Sequence, residues 1–102
     1  MRKDTLNKFE FLPGMLASSR AGRDKDKLYV VTGVCGEMLL LADGKFRTVK
    51  NPKRKNIKHV QRISLTVRQC LGHSTQTDVP DDAEIREAIK YYALKRQNQE
   101  EE

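Results

Sequence analysis

Apolar residues recur along this chain in short runs broken by glycine, proline and charge, a rhythm that predicts strands and turns. Met15, Leu16 and Ala17 predict a first strand over about 14–18. A second, over about 27–34, alternates Leu28, Val30, Thr32 and Val34 with Tyr29, Val31 and Gly33. Both of its faces are therefore fairly apolar, as in a strongly curled small sheet. Between the two lies a polar loop with Gly22 at its middle, where a backbone with φ > 0 favours glycine. Gly33 and Gly36 flank Cys35 and predict a bulge or a tight turn. A third strand over 38–41 leads to Asp43-Gly44, a hairpin signal, and a fourth strand from Lys45 to about Lys50. A two-residue turn there sets Leu41 opposite Phe46 and Leu39 opposite Thr48, but sends Phe46 and Val49 to opposite faces. A bulge would resolve that conflict, so the register stays open. Residues 50–58 contain Pro52 and two asparagines and read as a loop. The closing strand, 59–67, points Ile63, Leu65 and Val67 inward and Arg62, Ser64, Thr66 and Arg68 outward.

The ends read differently. Residues 1–13 form a lead-in, with Leu6 and Phe9 on one helical turn capped by Asp4 and stopped at Pro13, covering one end of the β domain. After the β domain (14–68) and a polar linker (69–80), Asp81 and Glu84 have the spacing of a capping box. Ile85, Ala88, Ile89 and Tyr92 then form an apolar stripe on a helix over 81–97. That stripe is expected to pack back on the β domain; the alternative is a partner-binding helix or an acidic arm over the basic face. Residues 98–102 are an acidic tail, expected to be disordered. The fold class is mainly β, a five-stranded barrel with a C-terminal helix.

Length narrows this to one domain with appendages and a thin core, since the chain has 102 residues. No apolar run nears the roughly 20 residues of a membrane span, and Lys8 and Glu10 interrupt any signal-peptide core, so a cytoplasmic location is expected. Cys35, Cys70, His59 and His73 stand in no metal-ligand or redox spacing, which leaves no expected metal or cofactor.

Charge changes the picture more. Residues 1–27 hold 7 Lys/Arg and 4 Asp/Glu, residues 28–62 hold 8 and 2, and residues 63–102 hold 5 and 8. A basic body with an acidic end points to an anionic partner for the first two thirds. Lys50, Lys53, Arg54, Lys55 and Lys58 form a run with no acid among them. Such a run can be a solvated loop or a guard against edge-to-edge association. Here it joins Lys45, Arg47, Arg20, Arg23, Lys25 and Lys27, and anion binding is the stronger reading.

The words Ser-Arg-Ala-Gly-Arg-Asp-Lys-Asp-Lys and Tyr-Val-Val-Thr-Gly-Val, in 19–34, resemble the loop and second strand of the KOW motif. The later words from Leu41 to Val60 resemble the small KOW proteins related to large-subunit ribosomal proteins. The resemblance covers about residues 13–60. It implies an SH3-like barrel that binds RNA, with structured ribosomal RNA as the expected partner and ribosomal proteins as further neighbours. The residues it and the charge pattern nominate are Arg20, Gly22, Arg23, Lys25, Lys27, Lys45, Arg47, Lys50, Lys53, Arg54, Lys55, Lys58 and His59. Replacing Lys53, Arg54 and Lys55 is expected to weaken RNA binding with little loss of fold.

No catalytic constellation is present. Gly22-Arg-Asp-Lys lacks the spacing of a phosphate-cradling loop, and Ser18 and Ser19 have no hydrolase elbow. The chain reads as a non-enzyme without a small-molecule substrate and as a monomer. With 3 Phe, 3 Tyr and no Trp, and no aromatic pair at the spacing of a stacking platform, recognition by shape and charge is expected. The alternative is a protein-interaction module docking on a ribosomal protein or on the transcription or translation machinery.

Overall fold

The computed structural model describes residues 11–72 and 80–100 and contains five antiparallel strands in one open sheet, followed by a C-terminal helix. The strands are β1 (Met15–Ser19), β2 (Leu28–Cys35), β3 (Met38–Ala42), β4 (Lys53–Asn56) and β5 (Val60–Thr66), in the order β4-β3-β2-β1-β5. β4 and β5 occupy opposite edges, yet only the single 3-10 turn Ile57–His59 separates them along the chain. The step from residue 56 to residue 60 spans at most about 14 Å. The edges of a flat five-stranded sheet stand about 19 Å apart. The sheet must therefore curl, bringing the end of β4 towards the start of β5 without bonding the two into a closed barrel.

Curling gives the two faces different covers. Ala17, Tyr29, Val31, Leu39 and Leu41 fold inward on one another, with Phe11, Ile57 and Val60 closing the cluster. On the other face Leu16, Val30 and Ala42 pack against Val67, Ile85 and Ala88. Both faces of β2 are thus buried near its start, as its apolar alternation predicts. The expected irregularity is present as well: the β2–β3 register shifts between Val31 and Gly33, and Gly36 turns the hairpin at φ 63°. Of the lead-in, Phe11 is buried in the core, while the helical turn expected at Leu6 and Phe9 falls outside the described residues.

The fourth strand is a correction. It does not run from Lys45 to Lys50; it is Lys53–Asn56, inside the stretch expected to be a loop. Asp43 causes the delay. Its Oδ1 accepts the backbone N–H groups of Lys45 and Arg47, each at 2.9 Å, and the N–H groups of Asp43 and Gly44 both reach the Arg47 carbonyl. A carboxylate that satisfies two amides two residues apart holds the backbone in a local loop and denies them to a ladder. Val49, which looked like a strand residue, instead packs partly buried beside the helix cluster, and its N–H donates to Asp82 Oδ1 at 2.9 Å. Pairing with β3 resumes after Pro52, with Leu41 opposite Lys53 and Leu39 opposite Lys55.

β5 ends at Thr66 rather than Val67 because Thr66 caps a short helix, α1 (Val67–Leu71). Its Oγ1 accepts from the Gln69 amide and the Gln69 side chain accepts from the Thr66 amide. The longer helix, α2 (Asp82–Glu100), starts from the same device: the Glu84 amide donates to Asp81 Oδ1 at 2.8 Å and the Asp81 amide to Glu84 Oε1 at 3.0 Å. Ile85 and Ala88 are fully buried, with Ile89 and Tyr92 partly buried beside them, so the apolar stripe does pack on the sheet. Asp81→Ala is expected to cost about 1 kcal/mol, measurable by urea denaturation.

Candidate nucleic-acid interface

The β1–β2 loop is built by its own backbone. The Asp26 N–H donates to the Ser19 carbonyl at 2.7 Å, the Ser19 N–H to the Lys27 carbonyl at 3.0 Å, and the Lys27 N–H to the Asp24 carbonyl at 2.9 Å. Gly22 and Asp26 take positive φ, at 87° and 73°. This tight path directs the Asp24 carboxylate inward. Its Oδ1 accepts from the Ser19 hydroxyl at 2.9 Å and from Lys55 Nζ at 3.3 Å; its Oδ2 accepts from the Tyr29 hydroxyl at 2.9 Å and from Lys53 Nζ at 2.7 Å. Cross-strand partners share a sheet face, so Lys53 and Lys55 project to the side of Leu41 and Leu39, towards Asp24. Arg54, between them, points the other way and is exposed.

Burial pushes the Asp24 carboxyl up, but hydrogen bonds from Lys53, Tyr29, Ser19 and Lys55 outweigh it and hold it well below the usual carboxylate range. Burial, together with the Asp24 charge, pushes the Tyr29 phenol far up and keeps it a donor at neutral pH. Asp43 works in the same way on the opposite flank. Burial raises it, and the Arg47 and Lys45 amides with the Lys27 ammonium, 2.9 Å away, lower it further than burial lifts it.

The nominated residues divide accordingly. Lys27, Lys53 and Lys55 are held by carboxylates. Arg20, Arg23, Lys25, Lys45, Arg47, Lys50, Arg54, Lys58 and His59 are exposed and form no ion pair with a described residue. The loop around Gly22 and strand β4 are brought together, since Asp24 binds both Lys53 and Lys55 across 29 and 31 positions of sequence. A second grouping joins Arg20 and Lys58 in a polar hollow of about 330 Å³ that also includes Arg62. The Arg20 N–H fixes it by donating to the His59 carbonyl at 2.8 Å. Lys50 sits apart, in the turn bridged by Thr48 and Asn51.

Two consequences were not legible in sequence. Lys53 and Lys55 are structural as well as basic, so replacing them together with Arg54 would disturb the fold, contrary to the expectation above. Further, α2 contributes cations of its own: Arg86, Lys90 and Arg96 face Lys27, Lys45 and Phe46 across a cleft of about 450 Å³. The one local hint was an aromatic set between Lys45 and Arg47; the part played by α2 depends on docking that no local pattern encodes.

The chain matches no protein-family model and no curated protein. Among the described residues no helix is long and apolar enough to cross a membrane, and no group of three His, Cys, Asp or Glu could hold a metal ion.

Proposed function

We propose that this protein binds structured RNA, with ribosomal RNA of the large subunit as the target, through the basic surface shared by the β1–β2 loop and β4. The curled sheet is then an SH3-like barrel of the KOW type, open between β4 and β5. The observation that carries the reading is the Asp24 junction: one partly buried carboxylate in the first basic word of the KOW resemblance binds Lys53 and Lys55 of the second, 29 and 31 positions further on, and holds the two words side by side. Lysines and arginines on a rigid frame suit phosphates of a folded RNA, contacts that position more than they read sequence. Arg23 and Arg54 are exposed and have the planar fork that binds phosphate through two bonds. The protein works without catalysis or cofactor, in the cytoplasm. A protein-docking role is the second reading, favoured by Tyr91 and Leu94, which stand 42% and 54% exposed on α2.

The variant that tests the RNA reading spares the Asp24 junction. Replacing Arg23, Arg54 and Lys58 with alanine is expected to weaken binding to a structured RNA by at least tenfold at moderate salt while leaving the thermal midpoint unchanged. Undiminished affinity would exclude these three cations as the phosphate contacts. Sedimentation of the protein with ribosomes through a sucrose gradient tests the target: co-migration with the large subunit at low salt, lost at high salt, is expected. Migration only at the top of the gradient at low salt would exclude the ribosome.

A further inference from the structure

Phe46 is the most exposed large apolar residue of the described chain, at 76%, and its position is fixed rather than loose. The amides on either side of it, of Lys45 and Arg47, are both bound to the buried Asp43 carboxylate. The ring therefore stands at the apex of a pinned loop and cannot retreat into the core. Lys27 Nζ lies 5.3 Å and Lys45 Nζ 5.9 Å from the ring centroid, and Lys27 is itself anchored by Asp43 at 2.9 Å. Across the cleft stand Lys90 and Arg86, the latter held by its own bond to the Gly44 carbonyl, with Ile89 and Leu28 forming an apolar floor.

We propose that this cleft receives one unpaired nucleotide of the bound RNA, its base stacked on Phe46 and its phosphate held by Lys45 and Lys90. The inference rests on the RNA-binding reading and adds a second, selective contact to it. Asp26 and Asp43 also line the cleft, Asp43 being paired with Lys27, but its lysines and arginines outnumber them; a flat aromatic surface in a net positive cleft matches a ligand with both a π-face and a negative charge, and a nucleotide has both. An acidic peptide would use the cations and leave the ring uncovered; an apolar peptide would bury the ring and strand the cations. The base must be unpaired, because in a continuous duplex its faces are covered by its neighbours. The cleft's volume, about 450 Å³, is in the range of small-ligand sites. Shape-and-charge binding by the β1–β2 loop and β4 would thus be supplemented by a preference for a bulge or loop at a set distance.

The test uses two RNA hairpins that differ only by one bulged nucleotide, with binding followed by fluorescence anisotropy. The wild-type protein is expected to prefer the bulged hairpin about tenfold. Phe46→Ala should abolish that preference and leave the affinity for the plain hairpin unchanged, while Phe46→Tyr should keep it. Because the ring is solvent-exposed, neither change should move the thermal midpoint. Equal wild-type affinity for both hairpins, or a preference that survives Phe46→Ala, overturns the inference and leaves the RNA-binding reading standing. Binding to neither hairpin overturns both. Displacement of the bulged hairpin by an equal concentration of a free mononucleotide would show a small-molecule site instead.

Discussion

Replacing Gly44 with alanine is expected to destabilise the protein by about 3–4 kcal/mol, from two additive causes. Gly44 has φ 81°, which costs an L-residue about 1–2 kcal/mol. A Cβ there would also lie 2.5 Å from the Asp82 carbonyl oxygen and 2.8 Å from Arg86 Cγ, so the first turn of α2 would have to move away. That turn is fastened to the same loop by Asp82, which accepts the Val49 amide, and by Arg86, which donates to the Gly44 carbonyl at 2.6 Å. A change of this size in a domain of this length lowers the thermal midpoint by about 15 °C or more. Gly36→Ala is the matched control. It too has positive φ, at 63°, but nothing lies within 4 Å of its notional Cβ, so only the backbone strain remains. Equal midpoints for the two variants would mean that α2 does not dock against this loop.

Asp24→Asn should cost about 2–3 kcal/mol at neutral pH, since it removes the negative partner of two ammonium groups and leaves them against a neutral amide. The side chain keeps its shape, so the loss reports charge and not packing. The pH dependence has a definite sign. The folded-state pKa of Asp24 lies below its unfolded value, which is near 4. The stabilisation is therefore complete above about pH 4 and is lost as pH falls through the folded value. Urea denaturation of the two proteins should give a constant difference from pH 7 to pH 5 that shrinks below pH 4. A difference that grew towards low pH would contradict the assigned pairing.

These two residues also mark what could and could not be read from the chain. Four of the five strands and the amphipathic helix were legible, because period-2 and helical apolar spacing are local properties of the sequence. The capping box at Asp81 and Glu84 was legible for the same reason. The fourth strand was misplaced because Phe46-Arg47-Thr48-Val49 has good strand composition, while Lys53-Arg54-Lys55-Asn56 has little. Tertiary pairing overrode that propensity: Asp43 closes the first stretch into a loop, and Asp24 gives the two strand lysines a partly buried partner. The cap on α1 was present in the sequence as Thr66 and Gln69 and was hidden by the apolar alternation leading into it. The basic residues were legible as a set, but their division into anchored and free members was not, because it depends on carboxylates some 16 to 31 positions away.

The free cations proposed to meet RNA phosphates lie on the β1–β2 loop, on β4 and on the turn that follows it, and the salt dependence of RNA affinity shows whether they do. If about five phosphates are neutralised, log affinity should fall against log salt with a slope of roughly −3.5 to −4.5. The Arg23, Arg54 and Lys58 triple variant should then show a slope shallower by about 2–3. A slope near zero for the wild-type protein, or one that the triple variant leaves unchanged, would contradict the account.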